Sequence, residues 1–271
     1  MKDDAIEIIT RFYHDFFLKT IPIFNSLSQR KLVVRDKADG SKVSSVDLEI
    51  ERLFLEFITK YFPDFYVCSE EMEFKWPPDS GSFMVLDPLD GTHNYLAGFP
   101  LYGVMATIVV EKSPYLSLIF LPYEEMISSK GLFTATSGWG AWRWHLGKPE
   151  SRIYISGQSC LENSFLLLEG SGRDLNSSPL IQKIISRTAR SRKALSMAWS
   201  VTRLAAASLF PNGIDVLICV NNKITDNIHA PLFAQEAGGI CTDFNGNTVT
   251  LNCKNLILTN HSLHASIMSR I

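Results

Sequence analysis

Two aspartates stand close together where an apolar segment of the chain ends, in the sequence Asp87-Pro88-Leu89-Asp90-Gly91-Thr92. The apolar run Phe83–Leu86 before them predicts a buried strand that stops at Asp87. Two carboxylates held at a strand end repel each other unless a positive charge lies between them. A hard divalent cation with oxygen ligands meets that need, and the backbone carbonyl of Leu89 offers a neutral oxygen between the two acids.

The residues directly after the aspartates predict an anion site beside the cation site. Gly91 permits a tight turn or a close backbone approach, and Thr92 is able to cap the start of a helix. The backbone N–H groups of Gly91 and Thr92 would then point at an anion such as phosphate. From these residues alone, a plain strand–turn–helix unit with a capping aspartate remains the alternative interpretation.

Two further acidic segments carry weaker signals. Glu70 and Glu71 follow the apolar run 65–68, an arrangement that an ordinary surface turn also explains. Asp226 precedes the sequence Glu236-Ala237-Gly238-Gly239, and taken alone it is most simply the N-cap of a helix. Neither segment identifies a site without the first one.

The surrounding sequence predicts the elements that must position these acids. Helical spacing predicts an N-terminal helix over residues 4 to about 27, and Ser44 or Ser45 caps a second helix that Pro63 ends. The polar stretch 35–41 predicts a loop or a hairpin tip. Further strands are predicted at 104–110, 115–120, 132–136, 141–144, 165–168 and 214–220, and further helices at 180–189, 194–209 and 229–237.

Helices mixed with strands and hairpins predict an α/β or α+β fold built in layers, rather than an all-parallel sheet. The length fits one large domain or two closely packed halves. The halves would be residues 1–150, with the first acidic motif and a mixed sheet, and residues 151–271, with a second sheet and Asp226.

The composition is that of a globular chain without bulk charge. Its 271 residues carry 26 Lys and Arg against 28 Asp and Glu, which excludes a polycationic binder of nucleic acid polymers. No run of about 18 uncharged apolar residues occurs, so no transmembrane helix and no membrane partner are expected. The 5 cysteines include no CxxC pair and predict reduced thiols in a cytoplasmic protein.

Taken together, these segments resemble the inositol monophosphatase family of Mg²⁺-dependent, lithium-sensitive phosphatases. The resemblance runs from about residue 35 to residue 240 in the family's order. Its specific part is the sequence from Asp87 to Tyr95, which fits the family's Asp-Pro-x-Asp-Gly-Thr-x-Asn-Phe/Tyr motif. The remaining parts are Glu70-Glu71, the segment from Gly40 to Asp47, and Asp226 with the Glu-Ala-Gly-Gly sequence that follows it.

The resemblance implies a site and a reaction. It implies hydrolysis of a small phosphorylated metabolite by water, with two or three Mg²⁺ ions per site. Asp47 and Thr92 would polarise the attacking water together with Glu70, and Gly91 and Thr92 would hold phosphate. The implied fold is a layered α-β-α-β-α sandwich of the sugar phosphatase type, assembled as a homodimer. The implied Mg²⁺ ligands are Glu70, Asp87, the Leu89 carbonyl, Asp90 and Asp226.

The second motif departs from the family pattern and leaves the substrate open. Cys219 stands where inositol-specific members carry an acid that binds substrate hydroxyl groups. His229 and Pro231 replace small residues that let a helix approach the metal site. The same metal centre would serve a 3′(2′),5′-bisphosphate nucleotidase, a histidinol phosphatase or a fructose-bisphosphatase. A member that binds metal and anion without catalysis is the alternative from another functional class.

Overall fold

The computed structural model describes residues 2–25, 33–37, 42–72 and 82–269. The helices are α1 Lys2–Arg11, α2 Leu18–Asn25, α3 Ser45–Tyr61, α4 Thr92–Leu96, α5 Pro122–Ser128, α6 Gly172–Ser177, α7 Pro179–Ile185, α8 Met197–Ala205, α9 Ile224–Asn227, α10 Ala230–Glu236 and α11 His261–Met268. A π-helical segment, Phe12–Phe17, joins α1 to α2, and the 3₁₀ turns are Leu161–Asn163 and Ala207–Leu209.

The strands form two large sheets and one small hairpin. They are β1 Val34–Asp36, β2 Lys42–Ser44, β3 Tyr66–Ser69, β4 Phe83–Asp90, β5 Gly103–Val110, β6 Ser113–Phe120, β7 Leu132–Thr136, β8 Gly140–His145, β9 Lys148–Arg152, β10 Phe165–Gly170, β11 Arg190–Lys193, β12 Val216–Val220, β13 Ile240–Thr242 and β14 Leu256–Thr259. A seven-stranded sheet runs β3-β4-β5-β6-β7-β8-β9, and a five-stranded sheet runs β11-β10-β12-β14-β13. Strands β1 and β2 pair with each other.

Parallel pairing is confined to one edge of each large sheet. Strand β3 runs parallel to β4, whereas the remaining pairs of the seven-stranded sheet are antiparallel. In the second sheet β10 runs parallel to both β11 and β12, and β14 is antiparallel to its neighbours. Both sheets are therefore mixed, as the hairpins in the sequence predict.

Alternating apolar side chains on the strands build the layers. In β5, Val104 and Ala106 face a core shared with the N-terminal helices and α3, whereas Met105 faces a second core shared with α8 and α10. The five-stranded sheet lies on the other side of that second core and places its opposite face against α7 and α11. The resulting order of layers, α-β-α-β-α, confirms the predicted fold class.

The N-terminal elements largely match their predictions. Helix α3 has Ser44 as its N-cap, with a capping box closed by Asp47, and it ends at Tyr61, two residues before Pro63. Arg35 and Asp36 belong to strand β1 rather than to a loop, and residues 38–41 of the predicted tip lie outside the described residues, as do Gly40 and Ser41 of the resembling segment.

Other element boundaries differ from prediction for local reasons. Strand β4 continues to Asp90 instead of stopping at Asp87, because a register shift against β5 accommodates Pro88. Gly91, in the left-handed region, is the N-cap of α4, so the prediction that Thr92 caps this helix is wrong. Helix α8 begins only at Met197, because Ser196 caps it.

The two sheets separate between Arg152 and Phe165, close to the predicted boundary at residue 150, but the division into halves stays a prediction because one core joins both sheets. Within the described ranges, none of the helices has both the length and the apolar composition that a bilayer-spanning helix needs. All 5 cysteines are free thiols.

Candidate metal centre and active site

The first two acids meet because two parallel strands end at the same edge of a sheet. Glu70 directly follows β3, and Asp87 lies near the end of β4, the strand that pairs with β3. The backbone N–H of Glu70 donates a hydrogen bond to the carbonyl of Leu86 at 3.1 Å, which keeps the chain in register past the end of β3. The side chains of Glu70 and Asp87 therefore leave the sheet side by side.

The third acid of the cluster, Asp226, belongs to the C-terminal half of the chain. Asp226 lies in the single turn of α9, which packs beside β4. Carboxylate oxygens of Glu70, Asp87 and Asp226 all lie within 4.8 Å of one another. The main chain of Lys223 donates to Asp226 at 3.3 Å, so Asp226 sits inside the first turn of the helix rather than at its N-cap. Three hard oxygen donors at this separation fit a divalent cation of the Mg²⁺ type.

Burial makes the negative charges of this cluster costly. Asp87 is buried, and burial followed by the charge of Glu70 raises its pKa well above its usual range. The same two causes raise the pKa of Asp226 to about 7. Clustered carboxylates with raised pKa values are typical of functional sites, because a stable fold alone has no need of their mutual repulsion.

A second pair lies at the side of this cluster. The hydroxyl of Thr92 is 2.9 Å from the carbonyl oxygen of Leu89 and 3.3 Å from Oδ1 of Asp47. Oδ2 of Asp47 accepts hydrogen bonds from the backbone N–H and the hydroxyl of Ser44, at 2.8 and 2.6 Å. The capping box of α3 thus holds Asp47 so that its other oxygen faces Thr92, and burial raises the pKa of Asp47.

Asp90 is oriented towards a helix from the other half of the chain. Its carboxylate accepts hydrogen bonds from the Ser196 hydroxyl and from the backbone N–H groups of Met197 and Ala198, the latter two at 3.0 and 2.9 Å. These donors form the N-terminus of α8, where a carboxylate is favoured. Asp90 lines the same cavity as the three clustered acids but is not one of the three that converge within 4.8 Å.

Two lysines compensate part of the negative charge. The ammonium groups of Lys37 and Lys223 each lie 3.1 Å from Oε1 of Glu70, and Lys37 also lies 2.6 Å from Oε1 of Glu71. Burial raises the pKa of Glu71 to about 7. Glu70, with Asp87 and Asp226, belongs to the cluster, whereas Glu71 turns towards Lys37.

The three clustered acids, Asp90 and Thr92 line one cavity of about 290 Å³. Gly91, the end of β10 and the residues around α9 complete its lining. The cavity-lining residues beyond those already described are Lys42, His93, Glu169, Gly170, Leu195 and Asn222. A cavity of this size suits a small molecule.

Comparison with known protein families identifies the family of the chain. The model of the inositol monophosphatase family matches residues 16–271. The chain belongs to the inositol monophosphatase family. It is thereby a phosphoric monoester hydrolase by family, as its motifs predict.

The chain is also similar to individual proteins and solved structures. A fructose-1,6-bisphosphatase/inositol-1-monophosphatase of Aquifex aeolicus is 34% identical over 118 residues, which make up 40% of this chain and 42% of that relative. A Nus factor SuhB of Pasteurella multocida is 26% identical over 239 residues, 87% of this chain and 84% of the relative. A crystal structure described as an IMPase/NADP phosphatase with Mg²⁺ and phosphate has a TM-score of 0.80 at 19% identity, covering 97% of this chain and 95% of that one.

The Glu-Ala-Gly-Gly sequence, residues 236–239, does not line the cavity and instead connects helix α10 to the turn between β7 and β8. The carboxylate of Glu236, at the end of α10, accepts hydrogen bonds from the backbone N–H groups of Gly138 and Gly140, both at 2.8 Å. These glycines form the turn between β7 and β8. Glu236 therefore ties helix α10 to the β7–β8 turn of the seven-stranded sheet.

Replacing Glu236 with Gln is expected to lower stability without changing turnover. The amide offers only one acceptor oxygen to the two N–H groups, and hydrogen bonds to charged groups contribute about 1.5–3 kcal/mol. The free energy of unfolding in urea should fall by about 1–3 kcal/mol. The exposed Glu111→Gln is the matched control. A large loss of kcat in a folded Glu236→Gln variant would contradict a purely structural role.

Cys219 does not reach the cavity of this phosphatase. Its thiol is fully buried in the central core and lies 3.4 Å from the sulfur of Met197. Burial raises its pKa well above its usual range, so it remains a neutral thiol. The position that the resemblance associates with binding of substrate hydroxyl groups is thus part of the core in this chain.

Position 91 has no room for a side chain larger than that of glycine, whereas position 98, another glycine with a positive φ, has open surroundings. A Cβ on Gly91, whose φ is +81°, would lie 2.6 Å from the carbonyl oxygen of Leu101. Gly98 has a φ of +79°, but a Cβ there would meet no atom within 4 Å. We expect Gly98→Ala to cost roughly 1–2 kcal/mol of unfolding free energy from backbone strain alone. Gly91→Ala should cost clearly more in urea unfolding and should also abolish phosphate release.

Equal unfolding free energies for these two glycine variants would contradict a close backbone approach at Gly91. Retained phosphate release in Gly91→Ala would separately contradict the placement of this turn in the active site. Gly98→Ala is the internal control for both measurements, because the φ of Gly98 is nearly the same as that of Gly91 and a Cβ at Gly98 would meet no atom within 4 Å.

Glu169 is a further acid of the cavity that was not predicted, although its position in the sequence carries a signal. It ends the apolar run of β10 directly before Gly170, as Asp87 ends the run of β4. It is buried, accepts a hydrogen bond from the Ser200 hydroxyl at 2.5 Å, and lines the cavity. Burial raises its pKa to about 7. The reasoning that singles out Asp87, an acid at the end of a buried strand, applies equally to Glu169.

Proposed function

We propose that this chain is a Mg²⁺-dependent phosphatase that hydrolyses a small phosphomonoester to an alcohol and inorganic phosphate. The observation that carries the proposal is the convergence of Glu70, Asp87 and Asp226 within 4.8 Å in the lining of the cavity. Membership of the inositol monophosphatase family supports the reaction class. No covalent intermediate on the protein is required.

The donor set fits the proposed metal. The side chains that would hold two or three Mg²⁺ ions are Glu70, Asp87, Asp90 and Asp226, together with the carbonyl oxygen of Leu89. All offer hard oxygen atoms, which Mg²⁺ prefers over nitrogen and sulfur. Bound Mg²⁺ would neutralise the phosphoryl oxygens and lower the pKa of an attacking water. The fold neighbour described with Mg²⁺ and phosphate supports this assignment.

The remaining residues of the site would orient water and phosphate. The Thr92 hydroxyl, held by Leu89 and Asp47, can accept the proton of the attacking water, and Asp47 can in turn accept the threonine proton. Glu70 would contribute to the same activation of water. The backbone N–H groups of Gly91 and Thr92 would hold the phosphate at the start of α4.

A substrate with a second anionic group is the second candidate. Lys42 and Lys223 line the same cavity and bring positive charge to it, with Lys223 paired to Glu70 and Lys42 paired to Asp36. Cys219 is buried away from the cavity, so the acid that would bind inositol hydroxyl groups has no counterpart at that position. A 3′(2′),5′-bisphosphate nucleotidase or a fructose-bisphosphatase would act on such a substrate with the same acids. A histidinol phosphatase would use these acids on a substrate with a single phosphate.

We also propose a homodimer in the cytoplasm. Five free thiols support a reducing compartment. Tyr123, Met126 and Ile127 are exposed on α5, and a second copy of the chain could cover this apolar face. Size-exclusion chromatography with light scattering tests the assembly, and a monomeric mass would overturn it.

Phosphate release from a panel of substrates tests the reaction. The panel contains inositol 1-phosphate, adenosine 3′,5′-bisphosphate, histidinol phosphate and fructose 1,6-bisphosphate, each with Mg²⁺, with EDTA, and with Mg²⁺ plus Li⁺. Activity that needs Mg²⁺ and falls with Li⁺ is the expected result. A folded protein that binds Mg²⁺ and phosphate but releases no phosphate from any substrate would support the non-catalytic alternative instead.

A further inference from the structure

A fully buried histidine stands directly behind the turn that carries Asp226. His229 lies at the N-cap of α10, three residues after Asp226. Its Nε2 is 2.9 Å from the carbonyl oxygen of Thr225, and its Nδ1 is 2.6 Å from the hydroxyl of Thr107 in β5. The imidazole therefore bridges the Asp226 turn and the seven-stranded sheet.

The acceptors define one arrangement of protons along this bridge. The carbonyl of Thr225 can only accept, so Nε2 of His229 carries the proton and donates it. Nδ1 then accepts from the Thr107 hydroxyl, whose oxygen can in turn accept from the hydroxyl of Ser117, 2.9 Å away. The ring is neutral in this arrangement. Burial favours the same neutral form, because it lowers the pKa of His229 to about 3.

The Asp226 turn needs an anchor outside itself. Helix α9 has only four residues, Ile224–Asn227, and one isolated turn has little stability of its own. On one side Asn227 donates to the carbonyl of Cys253 at 3.0 Å. On the other side, the bridge through His229 attaches the carbonyl of Thr225, the residue next to Asp226, to β5.

The same strand sets the position of Asp87. Thr107 in β5 pairs with Val85 in β4, and Asp87 follows two residues later on that strand. The path from Asp87 through the β4–β5 pairing to Thr107, His229 and Thr225 ends at Asp226. The bridge thus connects two acids of the cluster through rigid sheet structure, behind the cavity and without contact to it.

We propose that His229 is a positioning residue for the metal centre, which sets the distance of Asp226 from Asp87 through its hydrogen bond to the Thr225 carbonyl. The inference rests on the proposed function, because it requires that these acids bind a divalent cation. Hydrogen-bonded groups behind metal ligands typically change metal affinity by about 10–100-fold when removed.

Two substitutions at position 229 separate the two hydrogen bonds of the imidazole. In His229→Gln the amide nitrogen can take the place of Nε2 and still donate to Thr225, while the contact with Thr107 is lost. In His229→Asn the shorter amide reaches only the place of Nδ1, so it keeps Thr107 and loses Thr225. Both variants lose a similar part of the packing of the imidazole ring, so the loss of packing should lower their stability to a similar extent.

Mn²⁺ binding to the purified full-length chain provides a readout independent of turnover, since Mn²⁺ shares the oxygen ligands that Mg²⁺ prefers. Free Mn²⁺ is measured by electron paramagnetic resonance during a titration, with thermal unfolding in EDTA measured beside it. His229→Asn is expected to raise the Kd for Mn²⁺ at least about tenfold. His229→Gln is expected to raise this Kd as well, because loss of the hydrogen bond to Thr107 detaches the Asp226 turn from β5, and unfolding midpoints should be lowered alike in both variants.

A second pair of variants guards against failure of His229→Asn to fold. Thr107→Val removes the hydroxyl that fixes the ring and should weaken Mn²⁺ binding, whereas Thr107→Ser keeps the hydroxyl and should not. Equal Kd values for the wild type, His229→Asn and Thr107→Val would overturn the inference while leaving the metal centre intact, and so would equal weakening by Thr107→Val and Thr107→Ser. A wild-type chain that binds no Mn²⁺ would overturn the proposed function and this inference with it.

Discussion

Asp226→Asn is expected to lower Mg²⁺-dependent phosphate release by about 10³-fold or more. A divalent cation contributes several kcal/mol to stabilising the charge of the transition state, and each 1.36 kcal/mol corresponds to a factor of about ten in rate. The amide keeps the shape of the side chain but removes one of the three charges that converge within 4.8 Å. The measurement is kcat/KM for phosphate release, with the exposed Asp64→Asn as the matched control.

The same substitution is expected to raise thermal stability in EDTA, which separates loss of function from loss of fold. The pKa of Asp226 is about 7 in the folded chain against an ordinary value of 3.8, so the folded state binds more protons than the unfolded state between these values. The ionised carboxylate therefore destabilises the fold above pH 7, and the penalty disappears as the pH falls towards 4.

Unfolding midpoints in EDTA at pH 8 and pH 6 test this part of the prediction. Asp226→Asn should unfold at a higher temperature than the wild type at pH 8, with a smaller gain at pH 6. Asp64→Asn should show no such gain at either pH. Wild-type turnover in the purified Asp226→Asn protein would remove Asp226 from the metal centre, and an inactive protein that is also less stable in EDTA would leave simple misfolding as the cause.

The part of the site that is local in sequence was predictable. An apolar run that ends in two aspartates and a glycine predicts strand β4 and the turn after it. Such a prediction is possible because strand and turn signals depend on residues that are neighbours in sequence. The capping box that Ser44 and Asp47 form also follows from their spacing. The proximity of Glu70 to Asp87 could be predicted only by assuming that β3 and β4 pair in parallel, as they do in the structure.

Contacts between distant segments were not predictable from residue spacing. Asp90 accepts three hydrogen bonds from the start of α8, more than 100 residues away, and no local pattern pairs an aspartate with that helix. The ion pairs of Glu70 with Lys37 and Lys223 likewise join three separate segments. The end of β4 was misplaced for another reason: Pro88 indicates a strand stop, and only the pairing with β5 shows that the strand continues.

Thr92→Val is expected to lower kcat by about 10²–10⁴-fold, the usual contribution of a positioned group that takes up a proton. Valine matches the shape of threonine but has no hydroxyl to lie between Leu89 and Asp47. Because none of the three converging acids is changed, the Kd for Mn²⁺ should shift far less than in Asp226→Asn. The measurements are kcat at saturating Mg²⁺ and the Mn²⁺ titration by paramagnetic resonance.

Thr92→Ser is the matched control, because serine keeps the hydroxyl and loses only a methyl group. It should retain most of the turnover that valine loses, with an unfolding midpoint close to that of Thr92→Val. If valine and serine lowered kcat alike, the hydroxyl would have no part in moving the proton, and Asp47 would then serve only in the capping box of α3 with Ser44. A joint loss of Mn²⁺ affinity in Thr92→Val would instead place the threonine oxygen among the metal ligands.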